Sequence, residues 1–208
     1  MKNFDSVIFD MDGVLIDARD WHYLALNEAL EPFGIMISES DHITRFNGLS
    51  TARKLDMLTE ELNLPRELHT MISTVKQDRT LRIAAGNCYP SISHQILLNR
   101  LKLKGIKIGL VTNSIRETTE FMLKSAGLLN LFDCIITNQD VSFPKPNPEG
   151  YIKAMKSLGT KPGETLVVED GKYGKQAAEA AGCTVVMVDA PKDVNLELLC
   201  SYIPELTF

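Results

Sequence analysis

Ser6-Val7-Ile8-Phe9-Asp10-Met11-Asp12-Gly13 is the stretch on which the fold of this chain turns. A short, almost wholly apolar run meets an aspartate, a second aspartate follows two residues on, and a glycine closes the group. Such a run predicts a strand buried on both faces of a parallel sheet. Asp10 and Asp12 then stand at its carboxyl end, the edge at which open α/β sheets bind ligands.

Four more runs of this kind follow, at 107–111, 134–136, 166–168 and 184–188. Helical patterns fill 92–104, 116–126, 148–158 and 173–181, with Gly105, Gly127, Gly159 and Gly182 where helix C-caps are needed. The alternation predicts a doubly wound, Rossmann-like α/β parallel sheet. Residues 17–84 break the pattern. There Trp21, Leu24, Ala25, Glu28 and Ala29, and then Leu55, Leu58 and Leu62, recur at helical spacing with almost no strand signal. This segment is read as a small all-helical cap inserted after the first strand. The α/β core then takes residues 1–16 and 85–208, re-entered at Cys88-Tyr89-Pro90.

Composition narrows the partners. A chain of 208 residues, 44% hydrophobic and 24% charged, is long enough for one sizeable core and a smaller accessory unit. A formal net charge of −5 argues against nucleic acid and anionic membrane as partners. No apolar run approaches the roughly 18 residues of a membrane span, and aspartates interrupt the N-terminal apolar stretch too early for a secretory signal. The four cysteines are scattered, without metal-ligand spacing, so reduced thiols and a cytoplasmic location are expected. Nothing in the pattern calls for an obligate assembly, and a monomer is expected.

The remaining polar residues at strand ends are Thr112-Asn113, Lys145 within Phe143-Pro144-Lys145-Pro146, and Glu169-Asp170. Singly, each has an ordinary reading as a solvated turn, a helix N-cap or a loop lysine. Jointly they place four loops, distant in sequence, at one sheet edge. In that order and context they resemble the four motifs of the haloacid dehalogenase-like hydrolase superfamily, in the subfamily with a small helical cap. The resemblance covers the whole chain.

What it implies is phosphate chemistry. Asp10 is expected to attack phosphorus and form an aspartyl-phosphate. Asp12 is expected to protonate the leaving alcohol and then deprotonate the attacking water. Neighbouring carboxylates facing a phosphate call for a hard divalent cation, Mg²⁺, on Asp10, the backbone carbonyl of Asp12, and Asp170, with Glu169 either a direct or an outer contributor. Thr112 and Asn113 are expected to donate to phosphate oxygens, Lys145 to neutralise charge, and Gly13 to allow the tight turn after Asp12. Gly171 departs from the serine or threonine that many relatives carry.

Specificity is expected from the helical segment, where His22, Arg45, Ser50, Arg53, Lys54 and Lys76 are candidates to face the site. His22 has the alternative of a helix-surface histidine, and Arg53 and Lys54 that of solvated helix charges. The segment is similar to β-phosphoglucomutases in Asp17 to His22, Asn47-Gly48-Leu49-Ser50 and Lys76, but Thr51 stands where those mutases carry an arginine. That departure favours hydrolysis of a small-molecule phosphate ester, a sugar phosphate or phosphoglycolate-like compound, over the alternative of a phosphosugar mutase. His22 and Arg53 are the substrate-binding residues expected from the helices. Asp12 argues against a dehalogenase. A phosphonate-cleaving relative would need a Schiff-base lysine, for which Lys54 is the nearest candidate.

Overall fold

The computed structural model describes residues 4–207. Five parallel strands, β1 (Ser6–Phe9), β2 (Lys107–Val111), β3 (Cys134–Ile136), β4 (Thr165–Glu169) and β5 (Thr184–Met187), form one sheet in the order β3-β2-β1-β4-β5. β1 lies at the centre and is buried along its length. Its side chains alternate between two apolar layers. Val7 and Phe9 enter one, with Leu166 and Val168 of β4 beside them, while Ile8 and Val167 enter the other. This period of two explains why both central strands are continuous apolar runs: each face is covered. Each such large side chain taken from water contributes about 1.5–3 kcal/mol.

The chain leaves the sheet after β1 into helix α1 (Arg19–Leu30), the single turn α2 (Glu39–Asp41), α3 (Thr51–Leu62) and the long α4 (His69–Asn87). Leu26, Leu30, Ile37, Phe46, Leu55, Leu58 and Ile72 make a third apolar cluster among these helices. The inward face of α1 is Ala25, Leu26, Ala29 and Leu30. Leu24 and Leu62, expected on the apolar stripes, are exposed, and Trp21 packs toward the sheet instead. Between α2 and α3 lies a π-helical turn, His42–Phe46, which the sequence pattern did not announce. Such turns are often found at functional sites. This one delivers Asn47 and Gly48 to the mouth of the cleft.

The chain returns through α5 (Ile92–Leu103), followed by α6 (Arg116–Ser125), α7 (Glu149–Leu158), α8 (Lys172–Ala180) and α9 (Leu196–Cys200). α5, α6 and α9 cover one face of the sheet, and α7 and α8 the other. Gly105, Gly127, Gly159 and Gly182 all take the left-handed backbone expected of them. The four cysteines carry free thiols. No helix among the described residues is long and apolar enough to cross a membrane.

Candidate active site

The carboxyl ends of β1, β2 and β4 and the loop after β3 meet under the helical segment, around a cavity of about 60 Å³. Asp10, Asp12, Asn113, Lys145, Glu169 and Asp170 all line it. Lys145, 7% exposed, donates from Nζ to Asp10 Oδ1 at 2.7 Å and to Glu169 Oε1 at 2.6 Å. Burial works against its charge, but those two carboxylates win and push its pKa up to about 12. Lys145 is therefore a fixed cation beside Asp10.

Glu169 is occupied by the protein itself. Its Oε1 also accepts from the Tyr151 hydroxyl at 2.6 Å, and its Oε2 accepts the Asp170 backbone N–H at 3.2 Å. The carboxylate lies where a side chain on residue 174 would start: a Cβ on Gly174 would meet Glu169 Oε1 at 1.8 Å. So α8 needs a glycine there to admit Glu169. Gly13 does the same for Asp170. Its φ is +87°, and a Cβ would stand 2.1 Å from Asp170 Oδ2.

Three carboxylates, Asp10, Glu169 and Asp170, bring oxygens within 4.8 Å of one another. Burial raises the Asp10 pKa well above its ordinary value; Lys145 opposes this, while Glu169, Asp170 and Asp12 add to it. Asp170 is pushed up to about 6, by burial and then by Glu169, against the pull of Arg19 and Lys145. Crowded carboxylates that protonate readily are held in charged form by a hard divalent cation, so the donor set fits one. Asp10 and Asp170 have oxygens free for it, whereas the contacts of Glu169 suit an outer position.

Asp12 is held from two sides. Its Oδ2 accepts from Ser114 Oγ at 2.7 Å, and its Oδ1 lies 3.2 Å from His22 Nε2, within ion-pair distance. Both of those facing atoms are buried and without a hydrogen-bond partner. Lys76 Nζ donates to His22 Nδ1 at 3.0 Å, which leaves the ring proton on Nε2, facing Asp12. Burial works to raise the Asp12 pKa, but His22, Ser114 and Lys76 outweigh it and hold the carboxyl below its usual range. His22 is depressed by burial and then by the Lys76 charge, against Asp12, and so favours the neutral ring.

Other expected residues take different places. Thr112 is buried and does not line the cavity; its Oγ1 accepts the Ser114 N–H at 3.0 Å. Asn113 spends its amide on backbone, donating to Gly48 O at 2.8 Å and Lys145 O at 3.1 Å and accepting from Lys145 N at 3.0 Å. It braces the lysine loop against the helical segment rather than offering that amide to a ligand. Arg53 is the clear correction: its side chain is 56% exposed, lies 3.9 Å from Glu60, and does not line the cavity. Arg45 likewise faces out and pairs with Asp41 and Glu61. Lys54, one position from Arg53, is 5% exposed and lines the cavity. Ser114, Arg19, Tyr151 and Gly174 were not singled out from the sequence. Lys172 Nζ donates to Thr44 O at 2.7 Å and Tyr173 OH to Arg45 O at 3.2 Å, tying the start of α8 to the π-helical turn above the cleft.

The pattern of the haloacid dehalogenase-like hydrolases matches residues 7–188, taking in every one of these strand-end groups. The chain belongs to that family. A Thermotoga maritima protein named phosphorylated carbohydrates phosphatase is 29% identical over 178 residues, 86% of this chain and 82% of its own. The pyrophosphatase PpaX of Bacillus mycoides is 30% identical over 194 residues, 88% of this chain and 83% of its own. Among solved structures, β-phosphoglucomutase from Clostridium difficile gives a TM-score of 0.84 at 23% identity, covering 97% of this chain and 98% of that one. That likeness is one of fold.

Proposed function

We propose that this member of the hydrolase family is a phosphatase that splits a small phosphomonoester through an aspartyl-phosphate on Asp10. The observation that carries the reading is the pairing of Asp10 with a buried Lys145 beside an Asp12 whose Oδ1 faces His22 Nε2 at 3.2 Å. Lys145 holds Asp10 oriented and tempers the charge of the approaching phosphate. Asp10 attacks phosphorus as the P–O bond to the leaving alcohol breaks. Asp12, protonated in the field of the phosphate dianion, gives its proton to that oxygen. It then takes one from the water that opens the aspartyl-phosphate. Ser114 and His22 keep Asp12 turned toward the reacting atoms.

Asp10, Asp170 and the Asp12 backbone carbonyl would hold Mg²⁺, with Glu169 orienting Lys145 behind them. Bound there, the ion supplies Lewis-acid neutralisation of the phosphate oxygens. The helical segment, residues 17–84, acts as a cap over the cavity and excludes water. A mutase would use the same Asp10 chemistry. The phosphatase and pyrophosphatase relatives, at 29% and 30% identity, favour hydrolysis over the 23% likeness of fold to a mutase.

The test is phosphate release from p-nitrophenyl phosphate, pyrophosphate and a panel of sugar phosphates, with Mg²⁺ or with EDTA. Turnover should require the metal, and Asp10→Asn should lower it by at least about 10³-fold. Release that survives Asp10→Asn would remove the covalent route. Interconversion of sugar phosphates without release would replace the phosphatase by the mutase.

A further inference from the structure

Two amines from the helices close the cavity from above. Lys54 on α3 and Lys76 on α4 are 5% and 7% exposed, and both line it. Lys76 is engaged with His22. Lys54 makes no side-chain hydrogen bond or salt bridge among the described residues, although Arg45, Arg53 and Arg66 of the same helical segment each have a carboxylate partner on the outer surface. A desolvated ammonium without a counter-charge is unfavourable in an empty protein. The nearest carboxylate influence on it, Asp12, is already shared with Ser114, His22 and Lys76. Lys54 lines the cavity, so a partner can reach it from there.

We infer that the substrate carries a second anionic group on its leaving-group half, a carboxylate or a phosphate, and that Lys54 with Lys76 receives it. The inference rests on the phosphatase reading, since it takes the first phosphate to lie against Asp10 and Lys145. Charge across the cavity is arranged in two poles. The sheet side has its one lysine committed to Asp10 and Glu169, and the helix side has two buried amines and no carboxylate of its own lining the space. Consistent with an unmet charge, burial and then Lys76 hold the Lys54 pKa down at about 7, against the weaker pull of Asp12. Size sharpens the class. A volume of about 60 Å³ holds roughly four to six waters at ~10–15 Å³ each. A compact substrate, its two charged ends joined directly or by two or three carbons, suits a space of that size.

The experiment compares kcat/KM for 2-phosphoglycolate (carboxylate arm), pyrophosphate (phosphate arm) and 2-hydroxyethyl phosphate (neutral arm) in wild type and Lys54→Met. Methionine keeps the length and burial of the side chain and removes its charge. Wild type should prefer at least one anionic substrate over the neutral one by about tenfold or more, the worth of a charge-assisted hydrogen bond. Lys54→Met should collapse that ratio mainly through KM, and the arm that collapses identifies the anion. Equal losses on all three substrates, or a wild type with no preference for either anion while it turns over p-nitrophenyl phosphate, would overturn the inference and leave the phosphatase standing. No release from any ester by folded wild type would remove the phosphatase reading, and the inference with it.

Discussion

The two walls of the cavity are built on opposite plans. On the sheet side, polar groups are matched within the protein: Lys145 with Asp10 and Glu169, Glu169 with Tyr151 and the start of α8, Asn113 with the lysine loop. On the helix side the matching is looser: Lys54 makes no side-chain hydrogen bond or ion pair among the described residues, and His22 Nε2 meets Asp12 Oδ1 only at 3.2 Å without a hydrogen bond. A matched network is rigid and loses heavily when any one member goes, because the others stay buried without partners. An open set costs stability in the empty protein and is repaid only by a ligand. Apart from the oxygens of Asp10 and Asp170 that a cation would take, the sheet wall is matched within the protein, and the helix wall is not.

The largest effect should come from making one substitution in both walls. Lys145→Met leaves Asp10, Glu169 and Asp170 crowded without their cation and should destabilise the metal-free protein by about 3–5 kcal/mol. Lys54→Met removes an unpaired amine and should leave stability unchanged or raise it, by about 1 kcal/mol. Urea unfolding in EDTA checks the pair. Two variants that shift the midpoint in the same direction by similar amounts would erase the distinction between the walls.

A smaller effect tests the matched wall without touching its charges. Gly174→Ala should help α8 by up to about 1 kcal/mol on helix propensity alone. Yet its Cβ would fall 1.8 Å from Glu169 Oε1, an oxygen fixed by Lys145 and Tyr151, so the carboxylate must move and take Lys145 with it. Turnover of p-nitrophenyl phosphate should fall about tenfold or more while the protein remains folded, by analogy with the cost of overpacking a fixed site. An unchanged kcat would mean that the position of Glu169 is not part of the machinery.

These residues also mark how far the sequence could be read. The sheet was legible because β1 and β4 are covered on both faces, which forces unbroken apolar runs, and because a parallel sheet gathers its strand ends at one edge. Asp10, Asp12, Asn113, Lys145, Glu169 and Asp170 are placed at the cavity by that geometry, whereas Thr112, read from the same strand end, is buried away from it. Tyr151 and Gly174 do not follow from that geometry, since their roles consist of contacts to Glu169 from other elements, and locally they are an ordinary core tyrosine and a helical glycine. Ser114 sits one step beyond the Thr112-Asn113 pair and was hidden by it. The π-helical turn His42–Phe46 has no local signature, and it decides which part of the loop enters the cleft.

Lys54 and Arg53 carry the last and smallest prediction. Adjacent cations on a helix point about 100° apart, so only one of them can share the buried stripe. Lys54 aligns with Leu58 one turn on, and Leu55 and Leu58 are buried; Arg53 aligns with Glu60 two turns on, and both are exposed. That phase was present in the sequence, and the tie between two neighbouring charges could have been broken by it. The consequence is that Arg53→Ala, beside the residue on which selectivity is argued to rest, should change stability by less than about 0.5 kcal/mol and leave kcat and KM for every arm of the substrate panel within twofold. Unfolding and kinetics on that one variant suffice. A tenfold rise in KM for an anionic substrate would put Arg53 at the cavity after all, and would mean that α3 turns when the ligand binds.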